Sequence, residues 1–116
     1  MITFLLAFAI EAASWKPVLI SFYTMGQITS DGTPMDVNGR WVATRAFPLG
    51  TVLEIRYRNT VQVLTVRDRT ARRFGHRADL PKGTWLRFGQ PASRGLLQGQ
   101  WRIVPVQDFQ TIEVKK

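Results

Sequence analysis

Alternation of apolar and polar residues is clearest in the middle of the chain. In the segment Val52–Arg58, apolar residues at 53, 55 and 57 alternate with charged residues at 54, 56 and 58, which is the pattern of a strand with one buried face. The segment Val61–Asp68 carries apolar residues at both odd and even positions, as in a strand buried on both faces. Asn59-Thr60 lies between them and is typical of a hairpin connection. The pattern therefore predicts two central strands joined by a hairpin.

Shorter apolar segments on either side predict further strands, and these are Val18–Tyr23, Arg40–Thr44, Gln100–Val106 and Thr111–Val114. Pro105 interrupts the third of them and favours an edge position, because proline cannot donate a hydrogen bond to a sheet. The segment Pro81–Phe88 fits a short helix, with Asp79 as its N-cap and Gly89 at its end. Many short strands with one helix predict a mainly β fold, a small β-barrel.

Composition narrows the chemistry that such a barrel can perform. The chain has 116 residues, a size typical of one domain, and 45% of them are hydrophobic, enough to form a core. Its net charge of +8 favours anionic partners such as nucleic acid, a membrane surface or an acidic wall polymer. The absence of cysteine and the presence of a single histidine exclude disulfides, thiolate chemistry and multi-histidine zinc sites. An enzyme of this composition would depend on carboxylates.

The N-terminal residues form a separate apolar segment. Leu5–Ile10 is apolar and Glu11 follows it. The run is too short to span a bilayer as a helix. It matches the apolar part of a secretory signal peptide but has no basic residue before it, and Glu11 interrupts the cleavage site. We predict that residues 1–14 are a signal peptide or an apolar segment packed on the barrel, and that residues 15–116 form the domain. Export to the periplasm or out of the cell is favoured.

Three stretches between Val18 and Val106 carry a family resemblance. They are Thr29–Asp36, Trp41–Thr51, and Asp68-Arg69 followed by Gly75 and Asp79-Leu80. In this order and spacing they resemble the rare lipoprotein A family, which shares its double-psi β-barrel with expansins. The resemblance implies a six-stranded double-psi β-barrel with one short helix.

The resemblance also implies a protein that acts on peptidoglycan. Some family members are lytic transglycosylases, which need one carboxylic acid to protonate the glycosidic oxygen and then to act as a base. Asp68 matches the family's acidic position and is the candidate for this acid. Its role as an acid requires that the neighbouring Arg67 and Arg69 point away from it, because nearby positive charge lowers the pKa of a carboxylate. Asp79 matches the second aspartate and is expected to support Asp68. No metal or cofactor is implied, and the expected partner is a glycan strand bound by a monomer.

The remaining candidate residues are expected to bind the glycan, and they are Tyr23, Thr33, Asp36, Trp41, Thr44 and Arg69. Thr33 and Thr44 stand where the family has glutamate and histidine. Threonine can form hydrogen bonds to a sugar hydroxyl but cannot shuttle a proton at neutral pH. A non-catalytic module that binds or loosens the wall in the manner of an expansin is therefore the alternative.

A third hypothesis is a barrel that binds nucleic acid. Only the net charge of +8 supports it, so it is less favoured than the other two. The basic segment Arg72–Arg77 contains Phe74, so it is either a solvated surface or a grip on an anionic polymer through charge and stacking. His76 in this segment is expected to be solvated. Most of the four tryptophans are expected in the core.

Overall fold

The computed structural model describes residues 14–24 and 28–105. Within them the chain forms six strands, β1 (Lys16–Tyr23), β2 (Trp41–Ala43), β3 (Val52–Tyr57), β4 (Thr60–Asp68), β5 (Ala78–Pro81) and β6 (Leu97–Ile103), and one helix, α1 (Lys82–Leu86). Short 3₁₀ turns cover Arg72–Phe74 and Ala92–Arg94. The strands close into a barrel in the order β1-β5-β2-β4-β3-β6. The predicted fold class, a mainly β six-stranded barrel with one short helix, is confirmed.

Two parallel pairings set the topology of the barrel. β1 pairs with β5 and β2 pairs with β4 in parallel, whereas the remaining neighbours are antiparallel. Parallel partners need a crossover between them, so each pair joins segments far apart in the sequence. The first crossover brings Ser21 beside Asp79, and the second brings β2 beside the end of β4.

The core follows from the alternation of β3 and its neighbours. Leu53 and Ile55 are fully buried, while Val52, Glu54 and Arg56, which alternate with them, are only partly covered. The buried cluster also takes in Leu64 and Val66 from β4 and Trp85 from α1. Burial of each such side chain contributes about 1.5–3 kcal/mol, and this cluster holds the barrel closed.

The structure corrects the prediction for β4. Val61 and Val63 are 46% and 54% exposed, so the strand is buried on one face only. Gln62 takes a buried position instead, and its side-chain amide donates to the carbonyl oxygen of Thr84 at 2.9 Å. The sequence pattern predicted burial on both faces because the two exposed residues are apolar, while the buried residue between them is polar.

The region around β5 was also predicted wrongly. Asp79 lies within β5 and is not a helix N-cap. Pro81 occupies the cap position of α1, without a side-chain hydrogen bond, and the helix ends at Leu86, before Gly89. A strand of four residues that runs straight into a helix gives too short a pattern to recognise.

The last strand differs from its prediction as well. β6 begins at Leu97 and ends before Pro105, and it pairs with both β1 and β3, so it is not an edge strand. The predicted strand Thr111–Val114 and residues 1–13 of the predicted N-terminal segment lie outside the described residues. In the described ranges, no helix has the length and apolar character needed to cross a membrane.

Candidate functional site

A row of four side-chain positions crosses the outside of the barrel. Ser21 on β1 is in register with Asp79 on β5, Asp79 with Ala43 on β2, and Ala43 with Asp68 on β4. Residues directly opposite each other project from the same face of a sheet. The two aspartates are thus two strand spacings apart, about 10 Å between their backbones. We call Ser21, Asp79, Ala43 and Asp68 the acid row.

An irregularity in the sheet places Asp68 in this row. Val42 pairs with Val66, but the next residue, Ala43, pairs with Asp68 and skips Arg67. Such a bulge shifts the alternation by one residue and turns the following side chain to the other face. Without it, Arg67 would lie opposite Ala43, and Asp68 would continue the inward-facing series of Leu64 and Val66.

The carboxylate of Asp68 accepts four hydrogen bonds. Its Oδ1 accepts from the backbone N–H and the hydroxyl of Ser30, at 3.0 and 2.9 Å, and from the backbone N–H of Arg69 at 2.9 Å. Its Oδ2 accepts from the Tyr23 hydroxyl at 3.1 Å. Asp68 therefore ties the loop after β1 and the loop after β4 to the end of the barrel.

Two consecutive hydrogen bonds connect Trp41 to Asp68 through Tyr23. The Nε1–H of Trp41 donates to the Tyr23 hydroxyl at 2.8 Å, and that hydroxyl donates to Asp68 in turn. Burial raises the pKa of Tyr23 above its usual value; the Trp41 hydrogen bond opposes this, and the charges of Asp68 and Asp79 add to it. Tyr23 thus stays protonated and remains a donor to Asp68.

Asp79 has a different environment from Asp68. Its only side-chain hydrogen bond within the described residues comes from the Ser21 hydroxyl, at 2.9 Å. Burial raises the pKa of Asp79; the Ser21 bond and the charge of Arg77 oppose this, while the negative charge of Asp68 adds to it. The acid row thus holds one carboxylate that accepts four hydrogen bonds from the protein and one that accepts a single side-chain hydrogen bond and is partly desolvated.

The loop that carries Ser30 is itself organised by an aspartate. Asp31 Oδ1 accepts from the hydroxyls of Thr29 and Thr33, at 2.6 and 2.7 Å, and from the Thr33 backbone N–H at 3.0 Å. These bonds, the Thr29 hydroxyl first, lower the pKa of Asp31 to about 2, and Arg67 lies 3.6 Å away. Asp31 holds the turn that presents Ser30 to Asp68.

The two arginines beside Asp68 both point away from its carboxylate. Arg69 Nη1 donates to the carbonyl oxygens of Thr44 and Phe47, at 3.0 and 2.7 Å. Arg67 lies against the turn before β2, with its Nη1 3.6 Å from Asp31 and 3.3 Å from Thr33. This is the orientation that the sequence analysis required for a functional Asp68.

The other predicted ligand-binding residues are placed less favourably. Trp41 is 5% exposed and Thr44 is fully buried, with its hydroxyl donating to Gly75. Neither side chain is exposed enough to present its surface to a ligand. Thr33 is engaged by Asp31, and Asp36 is exposed and accepts the backbone N–H of Asn38 in a turn.

Sequence reasoning missed two members of the site, Ser21 and Ser30. Ser21 alternates with the buried Ile20, so its outward position could have been read from the strand pattern. Ser30 carried no signal, because its contact with Asp68 joins residues 38 positions apart. Within the described ranges, histidine, aspartate and glutamate do not gather in any group of three that could hold a metal ion.

Comparison with solved structures identifies similar folds. The structure is similar to the Streptomyces papain inhibitor, with a TM-score of 0.66 and 22% identity over 82% of this chain and 98% of that one. It is also similar to a mutant Clavibacter michiganensis expansin in complex with cellohexaose, with a TM-score of 0.57 and 15% identity over 78% of this chain and 50% of that one. At these identities the likeness shows the fold, a barrel of the double-psi type.

The sequence itself gives no match of this kind. No family model matches the chain, and no curated protein matches it.

Proposed function

We propose that this protein binds polysaccharide strands of a cell wall through the acid row and does not cleave them. The observation that carries the proposal is the coordination of Asp68, whose two carboxylate oxygens are both occupied by donors from the protein. A group held in this way organises two loops into a fixed surface. Its neighbours Ser21 and Asp79 can exchange hydrogen bonds with sugar hydroxyls.

A purely binding role also agrees with the residues that flank the row. Thr33 and Thr44 occupy the positions where the resemblance expects an acid and a histidine, and neither can move a proton at neutral pH. A fold neighbour, the Clavibacter michiganensis expansin, was solved with cellohexaose, which supports a polysaccharide as the ligand. We propose peptidoglycan as that polysaccharide, and the periplasm or the exterior of the cell as the place of action.

Lytic transglycosylation is the second candidate, and the environment of Asp79 favours it. A general acid must keep a proton near neutral pH, and burial raises the pKa of Asp79. In this version Asp79 rather than Asp68 protonates the glycosidic oxygen, and Asp68 holds the surrounding loops. The reaction would release glycan fragments with a 1,6-anhydro end.

One experiment separates the two candidates. Purified sacculi are incubated with the protein, and both the bound fraction and the soluble sugar products are measured. We expect binding without soluble product, weakened in Asp79→Asn and Asp68→Asn. The matched control Glu54→Gln removes a carboxylate from the opposite side of the barrel and should bind as the unmodified protein does.

Soluble 1,6-anhydro fragments that disappear in Asp79→Asn or Asp68→Asn would contradict a binding role and support the enzyme. Inhibition of papain is measured in parallel, because one fold neighbour bears that name. Strong inhibition without any retention on sacculi would replace the wall-binding proposal with a protease-binding one.

A further inference from the structure

Two neighbouring depressions lie at the loops that follow β2 and β4, and they share Arg45 and Ala46. Each has a volume of about 470 Å³. Their ionisable lining residues are all basic: Arg45, Arg69, Arg72 and His76. We call the two depressions together the arginine cleft. A concave surface lined by one sign of charge concentrates ligands of the opposite sign.

Two of the three guanidinium groups of the cleft, those of Arg45 and Arg69, are held in place by neutral partners. Arg45 Nε donates to the Thr70 carbonyl oxygen at 2.6 Å, and Arg69 Nη1 donates to two carbonyl oxygens. A guanidinium group has five N–H donors, so each retains donors beyond these bonds. Because the protein already orders these side chains, an anionic ligand loses less conformational freedom when it binds to them.

The cleft is not neutralised by the carboxylates that lie next to it. Over the described ranges, the ion pairs within 4.0 Å are Arg67–Asp31 and Arg102–Glu54. Asp68 directly precedes Arg69, yet the acid accepts its hydrogen bonds from neutral groups and the backbone. Opposite charges are therefore adjacent but unpaired, and the cations remain available to a ligand.

The positive surface extends from the cleft towards Asp79. The ring of Phe74 carries the Arg73 guanidinium at 4.8 Å and the Arg77 guanidinium at 4.3 Å from its centroid. Arg77 is only two residues from Asp79, and its Nε is buried without a hydrogen-bond partner within the described part of the chain. The two arginines stacked on Phe74 thus extend the basic surface towards Asp79.

We infer that the arginine cleft binds anionic groups carried by the same polysaccharide whose hydroxyls lie on the acid row. This inference rests on the proposed function and narrows the ligand to glycans that carry carboxylate or phosphate groups. Either group can accept paired hydrogen bonds from a guanidinium group. A neutral glycan would gain nothing from the cleft, and a polyanion without sugars would gain nothing from the acid row.

The test compares three preparations of one Gram-positive cell wall. The first is intact, the second is treated with hydrofluoric acid to remove phosphate polymers, and the third is additionally amidated to neutralise its carboxylates. Retention of the protein is measured on each at low and at high salt, with double-stranded DNA as a fourth ligand. The step at which affinity falls identifies phosphate or carboxylate as the anion.

Two pairs of substitutions remove the same charge from different places. Arg45→Gln with Arg72→Gln acts in the cleft. Arg58→Gln with Arg94→Gln acts on exposed arginines outside it, and Arg58 sits in the turn between β3 and β4. Arg72→Gln alone breaks no side-chain hydrogen bond among the described residues, so it reports on charge without disturbing the fold.

We expect the cleft pair to weaken retention on the intact wall at least about tenfold, because hydrogen bonds to charged groups are strong enough for such a loss. Arg72→Gln alone should give part of this loss. The control pair should change affinity less than about twofold, since its charges are screened beyond about 10 Å at moderate salt. On the fully neutralised wall all variants should bind alike and weakly.

Equal binding to all three walls, or equal losses from the two pairs, would overturn the inference and leave the proposed function standing. Failure to bind any of the walls would refute the proposed function itself. DNA bound as tightly as the intact wall, with the same dependence on Arg45 and Arg72, would assign the cleft to nucleic acid and overturn the polysaccharide assignment.

Discussion

Two sides of the barrel treat their charged residues differently. On the side of β3 and β6, Arg102 pairs with Glu54 at 2.7 Å, and Arg56 donates twice to Gln100. The ring of Trp15 lies 4.1 Å from both guanidinium groups. On the side of β2 and β5, Arg67 pairs with Asp31 at 3.6 Å, but neither Asp68 nor Asp79 forms an ion pair with any of the described residues.

The difference supports the proposal that the side of β2 and β5 binds the ligand. Charges that are satisfied by one another gain little from a further partner, as in surface ion pairs generally. The acid row and the arginine cleft instead use hydroxyl, amide and carbonyl groups to fix their charged side chains. Arg45 and Arg69 are thus held in place without an ion pair in the described part of the chain. Side chains ordered in advance lose less conformational freedom when a ligand binds.

Removal of one carboxylate from each side should give the largest contrast. Asp68→Ala leaves four donors without their acceptor, two of them backbone N–H groups, so we expect it to lower the free energy of unfolding by about 3 kcal/mol. Glu54→Ala breaks one surface ion pair and should cost less than about 1 kcal/mol. Urea unfolding followed by circular dichroism measures both. Similar losses for the two variants would show that Asp68 does not organise its loops.

Replacement of one tryptophan on each side tests the support beneath Asp68. Trp41→Phe removes the hydrogen bond to Tyr23 and leaves space in a buried position, so a loss of about 1–2 kcal/mol and weaker retention on sacculi are expected. Trp15→Phe keeps an aromatic ring between Arg56 and Arg102, so stability and retention should hardly change. Unaltered retention in Trp41→Phe would separate the Tyr23 chain from ligand binding.

The pH dependence of stability should distinguish two aspartates with opposite shifts. Burial raises the pKa of Asp79 in the folded state. Between the unfolded pKa of about 4 and the higher folded pKa, the folded state keeps a proton that the unfolded state has lost. The free energy of unfolding therefore falls as the pH rises through this range. Asp79→Asn should therefore raise Tm at pH 7, with a difference that disappears below about pH 4.

Asp31 should behave in the opposite way. Its pKa in the folded state is lowered to about 2. Asp31 therefore stabilises the fold at pH values above its pKa in the unfolded state, and this stabilisation is lost as the pH falls through its pKa in the folded state. Asp31→Asn should lower Tm at neutral pH, and the difference should vanish near pH 2. Tm measured from pH 2 to pH 7 covers both variants, and shifts of the same sign would contradict the contrast.

The amino-acid pattern was sufficient to predict a β-barrel. Alternation from Leu53 to Tyr57 predicted β3, and the family-like stretches predicted that Asp68 and Asp79 lie close together, although the role of both remains a proposal. The bulge between Val42 and Ala43 could not be predicted, because it depends on pairing between strands far apart in sequence. β5 was missed since Pro81, a good first residue for a helix, ends the strand and precedes α1.

The exposure of individual site residues could not be predicted from the sequence either. Thr44 aligns with a position expected to bind the ligand, yet the loop ending at Gly75 folds over it and accepts its hydroxyl. Burial of this kind depends on a contact between residues 31 positions apart. A motif can therefore identify the region of a site without identifying which of its side chains reach the ligand.

Titration with a soluble peptidoglycan fragment, followed by amide chemical shifts in NMR, identifies the surface of the barrel that the glycan contacts. We expect the amides of Ser30, Arg69 and Asp79 to shift together and saturate, while those of the turn between β3 and β4 keep their positions. Shifts confined to the side of β3 and β6 would refute binding at the acid row, and so would the absence of any shift at a concentration that saturates sacculus binding.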